Sequence, residues 1–159
     1  MQLFVIRHAV AVPRNGRTPD AARPLTPKGR KRWKRAVRGL ERLEMTFDRL
    51  YHSPWLRAVE TADALADLVE GKSVVTKELA RSPTTRLLEQ LEGERVALVG
   101  HQPWLGELVG LLVFGDAREG AQLVLEKGSV VCLEGRPRAG GMTLHALLSP
   151  DVLGAIGRS

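Results

Sequence analysis

The sequence predicts one α/β domain, with a mostly parallel sheet and helices on both faces. Short apolar runs of strand length alternate with longer amphipathic segments, the pattern of βα units. Two helix starts carry a capping residue followed by proline, at Thr26-Pro27 and Ser53-Pro54. The 159 residues, 43% of them hydrophobic, suffice for one core without disulfides or a metal. No repeat, low-complexity stretch or linker divides them, so a single domain over 1–159 is expected.

Each element has a local reason. Leu3 to Arg7 (LFVIR) is a short apolar run, read as a buried strand. Pro13 to Pro24 is rich in proline, glycine and charge, a surface loop. The helix opened by Thr26-Pro27 carries Trp33, Ala36, Val37, Leu40 and Leu43 as one apolar stripe, with Trp33 in the core. Lys31, Arg32, Lys34, Arg35, Arg38 and Arg42 are left mostly towards solvent, either as a solvated face or as a surface for an acidic partner. Arg49 to His52 is a second strand. Ser53, read as an N-cap, begins a helix running to about Val69. Ser73 to Thr76 is a third strand, Thr85 to Leu91 a short helix and Arg95 to Val99 a buried strand. Pro103 to Phe114 is a helix apolar on several sides. Leu123 to Leu125, Ser129 to Leu133 and Met142 to Leu148 are strands, the last two joined by the hairpin loop GRPRAGG.

Composition excludes several classes. No apolar run reaches the roughly 20 residues of a membrane-spanning helix. The chain enters MQLFVIRH with no basic leader, so a cytoplasmic protein is expected, in agreement with the single Cys132. The formal net charge is +6. From Arg14 to Arg42 eleven basic residues face two acidic ones, Asp20 and Glu41, which suggests an acidic partner or substrate. Only 4% of residues are aromatic, which argues against nucleic acid as that partner. No phosphate-loop, dinucleotide, zinc-ligand or GxSxG pattern occurs, so no cofactor and no metal are expected.

What remains is basic groups at strand ends. Arg7 and His8 close the first strand, Arg57 lies in the first turn after the second, and His101 follows Val99-Gly100. Open parallel sheets bind ligands at the carboxyl ends of their strands, so neighbouring strands would gather these four residues in one pocket. Four such groups need an anion between them, and a phosphoryl group offers oxygens that guanidinium forks grip in pairs.

The motifs RHA at Arg7–Ala9, SPWLRAVET at Ser53–Thr61 and VGHQP at Val99–Pro103 resemble the histidine phosphatase superfamily. Asp20, Arg23, Pro24, Leu25, Thr26 and Gly29 follow its D-x-x-R-P-L-T-x-x-G loop, and Glu78-Leu79 and Ser149-Pro150 complete the order. The resemblance spans nearly the whole chain and is strongest to the small bacterial phosphohistidine phosphatases of SixA type. It implies a phosphoglycerate-mutase-like, three-layer α/β/α sandwich without a cap domain. It also implies that His8 attacks phosphorus and becomes phosphohistidine, while Arg7, Arg57 and His101 hold the phosphoryl oxygens. Arg7 and Arg57 are expected to lower the His8 pKa and keep the ring neutral. Asp20 and Gln102 are further substrate-binding candidates, Asp20 as an organiser of its loop or as a proton donor.

Two departures bear on the substrate. Ala9 replaces the family's usual glycine, and the loop KELARSPTT lacks the carboxylic acid that ester-cleaving members tend to place there. A phosphoramidate needs less acid assistance, and a pocket without a cap admits a protein. The expected activity is metal-independent dephosphorylation of phosphohistidine in a protein, such as a histidine phosphotransfer domain. The alternatives are a phosphatase for small phosphomonoesters or nucleotides, and a non-catalytic anion- or nucleic-acid-binding domain. His52 and His145 are read as bystanders, and Trp104 as pocket wall or core.

Overall fold

The computed structural model describes residues 1–158. Six strands form one sheet: β1 (Gln2–Arg7), β2 (Phe47–His52), β3 (Val69–Val75), β4 (Arg95–Gly100), β5 (Val130–Gly135) and β6 (Met142–Leu148). Their order is β3-β2-β4-β1-β5-β6. The three pairings among β3, β2, β4 and β1 are parallel, whereas β5 runs antiparallel to both β1 and β6. The helices are α1 (Pro27–Arg42), α2 (Leu56–Asp63), α3 (Thr85–Glu89), α4 (Trp104–Phe114) and α5 (Pro150–Ile156).

Strand alternation divides the core in two. Phe4 and Ile6 of β1 point to one face, where Trp33 and Leu40 of α1, Ala58 and Ala62 of α2 and Leu153 of α5 cover them. Leu3 and Val5 point to the other face, against Leu87 of α3 and Leu105, Leu108 and Leu112 of α4. This is the expected three-layer sandwich. The near-continuous apolar runs of β1 and β4 follow from burial on both faces.

Helix α1 starts as its sequence demands: Thr26 Oγ1 accepts from Gly29 N–H and Pro27 fills the first turn. Its stripe is narrower than the periodicity predicts. Val37 is half-buried and Leu43, at the C-cap, stays exposed.

Three expectations need correction, and one helix is added to them. The helix after Ser53 spans only Leu56–Asp63, because Val69 already pairs with Phe47 and a 3-10 turn at Ala66–Leu68 leads into β3. For the same reason β3 begins at Val69 and not at Ser73. Leu123 to Leu125 is not a strand, since side chains take backbone groups that a ladder would use. Gln102 Nε2–H donates to the Leu123 carbonyl at 2.8 Å, and Arg7 Nη1–H to that of Leu125 at 2.5 Å. Finally, α5 was not anticipated, although Ser149-Pro150 repeats the cap-then-proline start and Ser149 Oγ accepts from Val152 N–H.

Candidate active site

The carboxyl ends of β1, β2 and β4 lie side by side, with Arg7 opposite Gly100 and His52 opposite Val99. The residues just past these strands therefore gather at one crevice: His8 after β1 and His101 after β4 line it, and Ser53 after β2 lies buried against His101. A cleft of about 450 Å³ opens there, and Arg7, His8, Arg57 and His101 all line it. So do Asp20 and Gln102, and the sheet order thus brings together all six residues that the sequence nominates.

His8 is 5% exposed. Its Nδ1 lies 2.7 Å from the Ala9 carbonyl oxygen, which can only accept, so Nδ1 carries the hydrogen. Nε2 is then unprotonated, and its lone pair accepts from Arg57 Nε–H at 3.2 Å. The His8 pKa falls to about 3. Burial is the first cause; the Ala9 contact opposes it, and the charges of Arg57, Arg7 and Lys127 add to it. The arginines thus act as foreseen, but the desolvated strand end does more than they do.

His101 is equally buried, and its pKa also falls to about 3, by burial first and then by His8 and Arg57. Ser53 Oγ lies 2.7 Å from His101 Nε2 and also accepts from Trp55 N–H at 3.2 Å. The serine hydrogen can therefore go to Nε2, which leaves the ring hydrogen on Nδ1, a buried atom without a partner. Such an Nδ1–H is a donor suited to an anionic oxygen. Ser53 is fully buried in this role, and the expected N-cap of α2 is Trp55 instead.

Arg57, 3% exposed, bridges the cleft. Nη1–H donates to the Asp20 carbonyl at 2.7 Å and Nη2–H to Asp20 Oδ2 at 3.3 Å, with the guanidinium 4.7 Å from the Trp55 ring centre. Asp20 also pairs with Arg14 at 3.0 Å and Arg23 at 2.8 Å. Burial raises the Asp20 pKa, but those hydrogen bonds and the Arg57 charge outweigh it, leaving the carboxyl at about 2. Arg7 lies half-buried beside them, with Nε buried and unpartnered. Gln102 lines the rim with its amide engaged at both ends: Nε2 to Leu123, and Oε1 accepting from Gly106 N–H at 2.7 Å.

Sequence reasoning missed Lys127, Trp55 and Ser53 as site residues. Trp104 proves to be wall, its ring centre 5.7 Å from that of Trp55 and 6.1 Å from that of His101. Glu78 lies away from the cleft, accepting from the Thr84 hydroxyl at 2.6 Å. His52 is buried with Nδ1 against the Ser53 carbonyl, and His145 is exposed beside Glu134. Among the described residues no group of three or more His, Cys, Asp or Glu is placed to hold a metal ion. Nor is any helix of theirs long and apolar enough to cross a membrane.

The sequence profile of the histidine phosphatase superfamily (branch 1) matches residues 3–82, which carry Arg7, His8 and Arg57. An uncharacterized protein of Picosynechococcus sp. (strain PCC 7002) is 34% identical over 154 residues, 92% of this chain and 90% of its own. The chain belongs to the histidine phosphatase superfamily.

Solved phosphatases share the fold. The protein histidine phosphatase SixA complexed with tungstate superposes with a TM-score of 0.77 at 24% identity, covering 96% of this chain and 99% of that one. The α-ribazole phosphatase of Shigella flexneri gives 0.74 at 19% identity, over 94% of this chain and 97% of its own. The phosphoserine phosphatase of Entamoeba histolytica gives 0.69 at 18% identity, over 96% and 98%. These neighbours bear different substrate names on one architecture, so the choice among substrates has to come from the site.

Proposed function

We propose that this histidine phosphatase acts without a metal through a phosphohistidine on His8, and that its substrate is phosphohistidine carried by a protein. The observation that carries the reading is the state of Asp20. It is the one carboxyl group among the residues lining the cleft, and three arginines hold it near 2, hence ionised at neutral pH. An ionised carboxylate has no proton to give an alkoxide. An imidazole leaving group needs none from the enzyme, because its second nitrogen takes a proton from water before the P–N bond breaks and the group then leaves as neutral imidazole.

In the first step His8 Nε2 bonds to phosphorus as the bond from phosphorus to the substrate nitrogen breaks, and the electron pair leaves with the imidazole. Water then attacks the same phosphorus, the bond to His8 breaks, and inorganic phosphate departs. Arg7, Arg57 and the His101 Nδ1–H hold the oxygens as charge spreads over them in a loose transition state. Their cationic and donor groups do what a metal would otherwise do. Trp55 and Trp104, packed edge to face, offer apolar ring surface to an aromatic leaving group.

The test compares a phosphohistidine-bearing histidine phosphotransfer domain with a panel of phosphate esters and nucleotides, each with and without chelator. Phosphohistidine should be favoured by at least about 100-fold in kcat/KM, a difference of about 2.7 kcal/mol, with no effect of the chelator. Comparable rates on esters would reassign the enzyme to small phosphomonoesters.

A further inference from the structure

A second cleft, of about 350 Å³, lies between α1 and α5. Its charged lining is Lys28, Lys31, Arg32, Arg35 and Arg158, with Asp151 alone opposing them. Arg32 is compensated, by Asp151 at 2.8 Å and Glu126 at 3.9 Å. Among the described residues Lys28, Lys31 and Arg35 have no ion-pair partner.

Lys28, Lys31 and Arg35 follow one another at spacings of three and four residues, where like charges repel and destabilise the helix. Glu41 in the last turn is the only acid in α1. The opposite flank follows the usual rule, with Arg30 paired to Glu60 at 2.6 Å. Lys34, Arg38 and Arg42 are also without an ion-pair partner among the described residues, but of the unpaired α1 cations only Lys28, Lys31 and Arg35 line the cleft.

That side adjoins the catalytic cleft. A small hollow lined by Ala9, Gly29, Arg32, Lys127 and Pro150 lies between the two. Lys127 belongs both to this hollow and to the catalytic cleft, and Arg32 and Pro150 both to the hollow and to the basic cleft. Lys127 and Arg32 therefore flank the passage between the two clefts.

We propose that the α1–α5 cleft is a docking surface for an acidic segment of the phosphoprotein substrate, held while its phosphohistidine enters the catalytic cleft. The proposal rests on the reading that the substrate is a protein. Acid side chains would meet the unpaired cations with complementary charge, which raises the encounter rate and lowers KM without altering the bond-breaking step.

The experiment first uses fluorescein-labelled, unphosphorylated peptides bearing six glutamates or six glutamines, read by anisotropy. The glutamate peptide should bind at least about 10-fold more tightly at about 50 mM salt, and lose that advantage at about 500 mM. The preference should vanish in Lys31→Glu/Arg35→Glu and weaken in the milder Lys28→Gln/Lys31→Gln, with melting temperatures showing both folded. The same peptides with a phosphohistidine about six residues from the acidic run then report turnover. KM should be about 10-fold lower for the glutamate peptide with kcat unchanged, and both variants should hydrolyse a small phosphoramidate as the wild type does. Equal binding of the two peptides, or a preference that survives both variants, would overturn the docking surface. So would duplex DNA that binds more tightly than the glutamate peptide and is lost in the variants, since the cleft would then be a nucleic-acid surface. Preferential binding of the glutamate peptide without turnover of either phosphohistidine peptide would leave the surface standing and remove phosphohistidine as substrate.

Discussion

The surroundings of His8 suit it to the nucleophilic role proposed for it. The Ala9 carbonyl fixes the tautomer, burial keeps the ring neutral, and Arg57 Nε–H marks the lone pair that the proposed mechanism uses. Acid-labile, base-stable phosphate should accumulate on the quenched enzyme, and His8→Ala should abolish it together with turnover. Full activity in that variant would end the mechanism. Arg57→Lys asks whether geometry or charge matters: lysine keeps the charge but cannot reach Asp20 and a phosphoryl group with one planar fork. The expected loss is on the order of 10²-fold in kcat/KM, about 3 kcal/mol of transition-state stabilisation. Near-wild-type kinetics would make Arg57 a diffuse charge. Arg7, His8, Arg57 and His101 were legible because motif order and strand-end position pointed to the same crevice. Ser53 offered the same signal, following its strand as directly as His8 and His101 follow theirs, but its proline neighbour suggested a helix cap. Lys127 offered none. It enters the cleft because β5 runs antiparallel to β1, which brings the turn before β5 beside the carboxyl end of β1.

At the scale of elements, α1 is positioned by close approach as well as by its apolar stripe. A Cβ on Gly39 would come within 2.1 Å of the Leu153 carbonyl oxygen of α5, a backbone atom that cannot swing away. A Cβ on Gly154 of α5 would meet nothing within 4 Å. Both glycines lie inside helices, where alanine is favoured by about 1 kcal/mol. For Gly39→Ala the overpacking cost of about 1–3 kcal/mol outweighs that gain, so the melting temperature should fall by several degrees. Gly154→Ala should raise it by about 2–4 °C. Equal shifts in both variants would mean that α1 and α5 are not tightly registered. Periodicity made α1 legible and cap chemistry its first turn, yet nothing local reveals that a glycine is a contact point until its partner helix is known. The same blindness explains the ends of α2 and the missing Leu123–Leu125 strand, whose fates are set by β3 pairing and by side chains from Gln102 and Arg7.

For the whole molecule, the catalytic crevice couples stability to pH. His8 and His101 are neutral in the folded chain down to about pH 3, whereas an unfolded histidine takes up a proton near pH 6.5. Between those values the unfolded state binds more protons, so folding weakens as the pH falls. Each histidine contributes a slope that approaches about 1.4 kcal/mol per pH unit, or about 3 kcal/mol for the pair between pH 6.5 and 5. Domains of this size are stable by only about 5–15 kcal/mol, so the loss is large. Below about pH 4 Asp20 adds to it in the same direction, as its stabilising ion pairs disappear on protonation near 2. The chemistry should not share this dependence, because His8 Nε2 in the folded enzyme stays unprotonated throughout. Urea unfolding at pH 7.5, 6 and 5 should show a midpoint that falls steadily towards acid. Single-turnover phosphorylation of the enzyme, measured at temperatures where it remains folded, should change little with protonation of its histidines. A midpoint constant from pH 7.5 to 5 would mean that the two imidazoles charge freely in the folded state. The crevice would then be wetter than its geometry implies, and the neutral nucleophile would need another origin.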